Sequence, residues 1–464
     1  MIFQKANIWL FFFIWMTGFS HSLGQSRLNI DLVSHWDSDT ILHGSSNVKF
    51  SDVWGYEADG REYGLICSTQ GVHVFELKSD YLQFVDFIPG TFQSAQITNR
   101  DVTTYKQYAY TGCDHGNSNL QIIDLSTLPD SAKMVKEIDL GFGRIHSLFV
   151  DEENALLYVC RVTPIVNGNP TSVIPMRVFS LADPLNPVLL YEGPNGITEV
   201  HDIWVQNNIA YLNCGFDGLR VYNFSNPSAP QFIQNLTFYQ HQGYNHQGAL
   251  TPNGKKYVFA DETNGKPVKF AQVNDNHQIQ IQHYLGVNTI NNSIPHNIMC
   301  TDEFAFVAYY NEGLRIFDIQ NSPREVAHYD TYSQESNFKM HGAWGVYINL
   351  PSKRILVSDI QSGLYVFDFD RDLLAKSTSE SISIYPTYLR SGDELIVKLK
   401  EGIASSFEIK GYNLNGECVL TESIADQTYK KITPQLSHGV YFLEIIYTNY
   451  LKEEKRERYK FVIY

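Results

Sequence analysis

A repeating four-strand unit constrains this chain more than any other feature of its sequence. The clearest copy runs over residues 201–230 and reads HDIWVQNNIAYLNCGFDGLRVYNFSNPSAP. Its three short apolar segments are separated by Asn207-Asn208 and by a glycine-containing connection at residues 215–218, and both connections favour tight turns. Prolines end the third segment, and QFIQNL from Gln231 supplies a fourth. The unit is therefore predicted to form one small sheet of antiparallel strands.

Two parts of this unit recur along the chain, and both recur seven times. The third segment begins at residues 71, 119, 176, 218, 267, 313 and 363. The first segment opens with Ser51-Asp52, Arg100-Asp101, His146-Ser147, His201-Asp202, His246-Gln247, His296-Asn297 and His341-Gly342. Four-strand units that repeat every 45–55 residues predict an all-β fold, a seven-bladed β-propeller. A solenoid of the same units is the alternative, and it would need a polar cap at each end.

The last unit supplies three strands and then stops at residues 368–370. Residues 28–36 precede the first unit and have the pattern of a fourth strand. We expect them to complete the last blade and close the ring, because closure removes the open sheet edges that invite aggregation. The propeller is predicted to occupy residues 25–372.

The two ends of the chain carry different signals. Residues 1–24 combine Lys5, an apolar core over residues 8–19 and small residues near a cleavage point, which is typical of a secretory signal peptide. No later apolar run is long enough to span a bilayer, so no transmembrane anchor is expected after cleavage. Residues 373–381 are a polar linker, and residues 382–464 alternate like short strands around the hairpin signal Asn415-Gly416. They predict a small C-terminal antiparallel β-sandwich.

Composition excludes two classes of function. The formal net charge is −15 without a compensating basic stripe, which argues against nucleic acid as a partner. Cys67, Cys113 and Cys214 occupy the same position in three different units, so they are expected to be buried and too far apart for disulfides. No Cys-x-x-Cys pair occurs, which excludes a zinc knuckle.

Two parts of the chain resemble known families. The tail resembles the C-terminal sorting domain of the bacterial type IX secretion system through the motifs at residues 382–386, 412–416, 436–443 and 460–464. This resemblance implies handling by the type IX export machinery and a secreted or outer-membrane cell-surface location in a bacterium. Residues 28–372 resemble the choice-of-anchor B family of LVIVD-repeat propellers through Ser51–Tyr56, Gly60–Tyr63, Asn119–Leu125 and the histidine pairs. That family implies a surface-displayed propeller and supplies no activity.

The candidate site is the ring formed by the starts of the first strands, which face the channel mouth in a propeller. Five of the seven units place histidine at this position. The candidate ligand-binding residues are Asp52, Arg100, Asp101, His146, His201, Asp202, His246, His296, Asn297 and His341. Loops between second and third strands open on the same face and add Asp114-His115, Asp217, Asp261-Glu262, Glu312 and Asp359.

Imidazoles beside carboxylates suit a divalent metal, either a transition metal held by His146, His201, His246, His296 and His341 or calcium held by oxygen atoms. The alternative is structural, because such histidines can also cap the backbone of a neighbouring blade. Two functions stay open at this point. One is a binding module for a protein, peptide or glycan on the top face. The other is a metal-dependent hydrolase or lyase that uses the His/Asp ring in the channel.

Overall fold

A computed structural model describes residues 26–139, 141–287, 293–332, 340–371, 382–399, 404, 406–425, 427–448 and 454–464. The predicted signal peptide and linker lie outside these residues. One compact unit ends at Phe369 and the second begins at Asp370. Every described element is a β-strand, so the predicted all-β class is confirmed. Nothing helical among the described residues has the length and apolar character that crossing a bilayer requires.

The first compact unit begins with two short strands, β1 (Arg27–Leu28) and β2 (Asp31–Trp36). Sheet 1 contains β3 (Phe50–Ala58), β4 (Arg61–Ser68), β5 (Gly71–Leu77) and β6 (Leu82–Pro89). Sheet 2 contains β7 (Arg100–Tyr105), β8 (Tyr108–Cys113), β9 (Leu120–Asp124) and β10 (Lys133–Ile138). Sheet 3 contains β11 (Ser147–Asp151), β12 (Leu156–Val162), β15 (Ile174–Ser180) and β16 (Val188–Gly193), with the hairpin β13 (Ile165–Val166) and β14 (Asn169–Pro170) inserted between its middle strands.

Sheet 4 contains β17 (Asp202–Gln206), β18 (Ile209–Asn213), β19 (Leu219–Asn223) and β20 (Gln231–Leu236). Sheet 5 contains β21 (Asn245–Leu250), β22 (Lys256–Asp261), β23 (Val268–Val273) and β24 (Ile279–Leu285). Sheet 6 contains β25 (Ile298–Cys300), β26 (Phe304–Ala308), β27 (Leu314–Asp318) and β28 (Arg324–Tyr329), and β1 extends it. Sheet 7 contains β29 (Ala343–Tyr347), β30 (Ile355–Asp359) and β31 (Gly363–Asp368), and β2 pairs with β31.

The first strand of each sheet contacts the first strand of the next sheet along the chain, and β29 contacts β3. These seven inner strands therefore surround a common axis. Neighbouring sheets pack on both faces of a strand, so both faces carry apolar side chains. Tyr158 and Cys160 of sheet 3, for example, share one buried cluster with Leu212 and Cys214 of sheet 4. Such sheets, each covered by its neighbours around an axis, are the architecture of a β-propeller.

The N-terminal strands occupy two sheets rather than one. Asp31 pairs with Asp368 and Trp36 with Leu364, so β2 supplies the outer strand of sheet 7. Leu28, which we expected in the same strand, pairs instead with His328 of sheet 6. Asn29 separates the two strands because its backbone is left-handed, with φ of 50°, and its side-chain amide donates to the Val326 carbonyl. The turn at Asn29 thus directs the chain from one sheet edge to the next.

All six cysteines are free, as expected. Cys67, Cys113, Cys160, Cys214 and Cys300 are buried, whereas Cys418 of the tail is exposed. The buried ones act as small apolar side chains.

The second unit is formed by two sheets of short strands. One contains β32 (Ile382–Tyr385), β34 (Leu395–Leu399) and β37 (Tyr429–Ile432). The other contains β33 (Tyr388–Leu389), β35 (Ser406–Tyr412), β36 (Cys418–Ala425), β38 (Gly439–Thr448) and β39 (Glu454–Ile463). Side chains from both sheets form one core. The pairing of β33 with β39 is parallel, whereas we expected only antiparallel strands.

Candidate functional site

The starts of four inner strands place a row of imidazoles at one end of the axis. His146, His201 and His296 each donate a backbone N–H to the second strand of their own sheet, at Cys160, Asn213 and Ala308. Because these backbones are fixed in the same way in each sheet, the side chains meet. Ring centroids lie 4.1 Å apart for His146 and His201, 4.3 Å for His201 and His246, and 4.2 Å for His246 and His296. We call these four residues the imidazole arc.

His341 does not continue the arc, which corrects its predicted place. The ring next to His296 is that of Trp344, at 4.3 Å between centroids, whereas His341 packs beside Tyr332 with Nδ1 3.0 Å from the tyrosine hydroxyl. The cause is Gly342, whose φ of 99° changes the strand phase directly after the histidine.

Arg100 also differs from the prediction, because its guanidinium does not face the mouth. The side chain is fully buried, and it donates from Nε to the Ser68 carbonyl and from Nη2 to the Phe92 carbonyl. It lies close against Gly90, where even a Cβ atom would meet the guanidinium at 2.4 Å. Arg100 therefore joins the loops of sheets 1 and 2 rather than lining the channel.

A carboxylate completes a cluster of potential metal ligands within the arc. One donor atom from each of His201, His246 and Glu262 lies within 4.8 Å of the other two. Glu262 follows the second strand of sheet 5, and its Oε2 lies 3.9 Å from His246 Nε2. The His201 ring is nine-tenths buried or more, and its Nδ1 has no hydrogen-bond partner among the described residues. An unpaired buried nitrogen of this kind is costly unless something binds to it.

The tautomer of His296 places a further unpaired nitrogen next to Glu262. Its Nδ1 lies 2.7 Å from the Trp344 carbonyl, and a carbonyl can only accept, so Nδ1 carries the proton. The lone pair is then on Nε2, which is buried, has no partner among the described residues, and lies 3.9 Å from Glu262 Oε1. A lone pair that faces a carboxylate oxygen is unfavourable until a cation separates them. Metal-binding histidines commonly donate their other ring nitrogen to a backbone carbonyl in this way.

Burial controls protonation in the cluster. It lowers the pKa of His146 to about 4 and of His296 to about 3, and it lowers the pKa of His201 and His246 well below the usual value. Burial likewise raises the pKa of Glu262 to about 7, although the hydroxyl of Tyr310, 2.6 Å from Oε1, opposes the shift. The imidazoles are therefore neutral at pH 7, and neutral imidazole is the form that binds a metal.

The residues one position further along the inner strands form a second layer, which we call the carboxylate tier. It contains Asp52, Asp101 and Asp202, with Gln247 and Asn297 at the equivalent positions of sheets 5 and 6. Burial raises the pKa of Asp52 and Asp202 to about 7 and that of Asp101 well above its usual range. Repulsion from Asp202 adds to the shift of Asp52. Each of the three aspartates is half-buried, and the surrounding protein removes most of the hydration of its carboxylate.

Side chains of this tier join neighbouring inner strands. Asp52 accepts from the Val102 N–H at 3.3 Å, and Asp101 accepts from that of Leu148. Gln247 makes the same link with Ile298, accepting from its N–H at 2.7 Å. Asn297 lies at the equivalent position of sheet 6, and its Oδ1 is buried without a partner among the described residues. A structural role therefore accounts for much of the tier.

Sequence reasoning missed several side chains around the arc. Tyr244 packs edge-on against His201, with 5.3 Å between centroids, and its hydroxyl lies 2.5 Å from Glu199 Oε1. Arg161 Nε lies 2.5 Å from the other oxygen of Glu199. Tyr310 donates to Glu262. Glu199 and Tyr244 each precede an arc histidine by two residues, and this spacing is the one sequence signal that pointed to them.

Comparisons with known proteins identify both parts of the chain. Residues 383–456 match the family described as secretion system C-terminal sorting domain, and residues 198–237 and 296–331 match the LVIVD repeat. The expected sorting domain and the expected LVIVD repeats are thereby confirmed, and the chain is a secreted or cell-surface bacterial protein. The choice-of-anchor B resemblance stays a prediction. The comparison with curated proteins gave no match.

Two solved structures align with most of the chain at low sequence identity. One is PorZ, an essential bacterial surface component of the type-IX secretion system of Porphyromonas gingivalis, at 12% identity and a TM-score of 0.45, with 89% of this chain covered and 59% of PorZ. The other is the computationally designed Ika8 protein, at 9% identity and a TM-score of 0.44, with 92% of this chain and 98% of Ika8 covered. The chain thus spans less than two thirds of the PorZ structure. Likenesses at this level say nothing about what the chain binds.

Proposed function

We propose that the repeat region is a surface-displayed binding module whose channel mouth holds a divalent transition-metal ion. His201, His246 and Glu262 are the ligands, and His296 is the fourth candidate. The observation that carries this proposal is the convergence of three donor atoms within 4.8 Å in a buried setting where the imidazoles are neutral. In tetrahedral geometry the ligand atoms on one zinc ion lie about 3.3–3.6 Å apart, since each bond is about 2.0–2.2 Å. The donor atoms must therefore move together by about 1 Å when the ion binds.

The donor types select the class of metal. Imidazole nitrogen with one carboxylate suits zinc and its first-row neighbours, whereas calcium prefers six to eight oxygen ligands. A calcium site would draw its oxygen atoms from the carboxylate tier, where Asp52 and Asp101 already accept backbone hydrogen bonds from neighbouring sheets. We therefore favour a transition metal in the arc.

Metal selectivity tests the proposal. The full secreted chain, dialysed against chelator at pH 7.5 and titrated calorimetrically, is expected to bind one equivalent of Zn²⁺ or Co²⁺. A hundredfold excess of Ca²⁺ is expected not to compete. Tight calcium binding without zinc binding would instead assign an oxygen site.

The sorting tail implies export by the type IX machinery, and the module is then presented outside the cell. Its partner is a protein, peptide or glycan that reaches the top face. The ion is the anchor for that partner, because a metal with an open position can accept an oxygen or nitrogen atom from it.

Metal-dependent hydrolysis is the second candidate function. The observation in its favour is that the candidate ligands come from sheets 4, 5 and 6 only, which leaves one side of the ion open for water. Zinc-loaded protein would then hydrolyse 4-nitrophenyl esters faster than chelated protein, and His201→Ala would remove the difference. Equal rates in all three samples would leave binding as the function.

A further inference from the structure

We propose that the metal-loaded mouth binds an oxyanion, a carboxylate or phosphate group, held between the ion and the guanidinium of Arg161. This inference rests on the proposed function and names the chemical class of its ligand. Arg161 was not among the residues that the sequence pattern selected. Arg161 lies near the end of β12, where its backbone is left-handed.

Arg161 occupies a strained backbone position. In sheet 3, Cys160 pairs with Met176 and Val162 pairs with Ile174, and Arg161 lies between them with φ of 49°. A left-handed conformation inside a strand is unfavourable for a long side chain, and such strain tends to be kept where it positions a functional group. Here the side chain reaches Glu199, which precedes the arc histidine His201 by two residues.

A chain of contacts connects Arg161 to the candidate metal ligands. Its Nε lies 2.5 Å from Glu199 Oε2, the other Glu199 oxygen lies 2.5 Å from the Tyr244 hydroxyl, and the Tyr244 ring packs on His201. The positive charge is near enough to contribute, after burial, to the low pKa of both His146 and His201. Arg161 is therefore beside the arc, on the side of sheet 3.

The guanidinium is available to a ligand. The side chain is 39% exposed, whereas that of Glu199 is 14% exposed. Its Nε is buried and forms an ion pair with Glu199 that lacks hydrogen-bond geometry, and among the described residues no hydrogen bond uses its terminal amino groups. A planar guanidinium with two free amino groups matches the oxygen pair of a carboxylate or phosphate.

The candidate metal ligands begin in sheet 4, whose inner strand contacts that of sheet 3. They come from sheets 4, 5 and 6, so the open positions of a bound ion face the channel and the sheet 3 side. A ligand that entered there would meet a divalent cation and a guanidinium together. An oxyanion satisfies both charges at once, whereas a neutral hydroxyl satisfies neither fully.

The test is calorimetric titration of zinc-loaded full-length protein with inorganic phosphate and, separately, with malonate. We expect saturable binding that requires zinc, and we expect Arg161→Gln to weaken it about tenfold or more. The affinity for zinc itself is expected to change less than about threefold, since Arg161 is not a ligand. Arg144→Gln is the matched control, because Arg144 also precedes the arc but donates from Nε to the Gly116 carbonyl.

A second variant guards against misfolding. Glycine accepts a φ of 49° without strain, so Arg161→Gly is expected to fold at least as well as the wild type and still lose oxyanion binding. Phosphate binding tighter than malonate assigns a phosphate ligand, and the reverse order assigns a carboxylate. Zinc binding without oxyanion binding, or oxyanion binding that both Arg161 variants retain, overturns this inference alone. Absence of zinc binding overturns the proposed function and this inference together.

Discussion

The imidazole arc and the carboxylate tier differ by one residue along the same inner strands, yet they have different partners. The arc side chains of sheets 3 to 6 contact one another, and three of their nitrogen atoms, His201 Nδ1, His246 Nδ1 and His296 Nε2, have no hydrogen-bond partner among the described residues. The tier side chains Asp52 and Gln247 instead bond to the backbone of the next sheet. Unpaired nitrogen atoms therefore mark the arc, whereas most side chains of the tier are structural links and Asn297 is the exception.

The two layers also respond to pH in opposite directions. Burial lowers the pKa of His146 from 6.5 to about 4, so the unfolded chain takes up a proton as the pH falls through 6.5 while the folded chain does not. Stability contributed by the arc is thus lost as pH falls toward 4. Burial raises the pKa of Asp52 from 3.8 to about 7, so the folded chain holds a proton that the unfolded chain releases. That contribution is lost as pH rises toward 7.

Removing two of the proposed metal ligands should cause the largest change, a loss of zinc affinity. We expect His201→Ala combined with His246→Ala to lower zinc affinity by more than about a hundredfold, because changes in the groups that merely support a ligand already cost about 10–100-fold. Calorimetric titration at pH 7.5 measures it. The control is His341→Ala, outside the arc, which should bind zinc like the wild type. Equal losses in both variants would mean that the arc is not a distinct site.

Removing the hydrogen bond between Gln247 of the carboxylate tier and Ile298 should destabilise the fold. Gln247→Leu leaves the buried Ile298 N–H without its acceptor, and we expect unfolding to become easier by about 1–3 kcal/mol. Urea unfolding followed by fluorescence provides the measurement. Gln206→Leu serves for comparison, since the Gln206 amide bonds to the Pro252 carbonyl at an exposed position and should matter less. A stable Gln247 variant would refute the structural interpretation of the tier.

Removing the charge of one tier aspartate should raise the stability of the fold rather than lower it. Asp52→Asn keeps an oxygen acceptor for Val102 and removes the repelled carboxylate, so we expect stability at pH 8 to rise by about 1–2 kcal/mol after allowance for channel solvent. The gain should shrink as pH falls toward 4, where the wild-type group is protonated. Thermal melts between pH 5 and 8 test this, with the exposed Asp59→Asn as control. A gain that did not depend on pH would show that carboxylate desolvation is not its cause.

The smallest change in zinc affinity is expected for substitution of His146, at the end of the arc. His146 contacts His201, but it does not belong to the group of three converging donors. We expect His146→Gln to change zinc affinity less than about threefold. A loss as large as that of the His201 variant would extend the site to sheet 3.

Much of this molecule could be predicted from the periodicity of its sequence. The repeat identified the strands and the positions of His146, His201, His246 and His296, because equivalent residues of a repeat occupy equivalent places. The outliers were not predictable from the pattern. His341 departs from it because Gly342 adopts a positive φ, and Arg161 pairs with Glu199 from a left-handed position within its own strand.

Glu262 was only partly predictable from the sequence. The loop pattern selected it together with other polar residues of the equivalent loops, and the pattern could not show which of them converge on the imidazoles. Three-dimensional placement singles out Glu262 because its oxygens lie 3.9 Å from both His246 Nε2 and His296 Nε2. Distances between different sheets are a property of the closed ring, and no single repeat contains them.

The most direct test of the central claim is anomalous diffraction at the zinc edge from crystals of the full chain soaked in dilute Zn²⁺ at pH 7.5. We predict one strong peak at the channel mouth, about 2.0–2.2 Å from a donor atom of His201, His246 and Glu262. Zinc found only at exposed histidines such as His43 or His277, with no peak inside the arc, would contradict a metal site in the channel mouth.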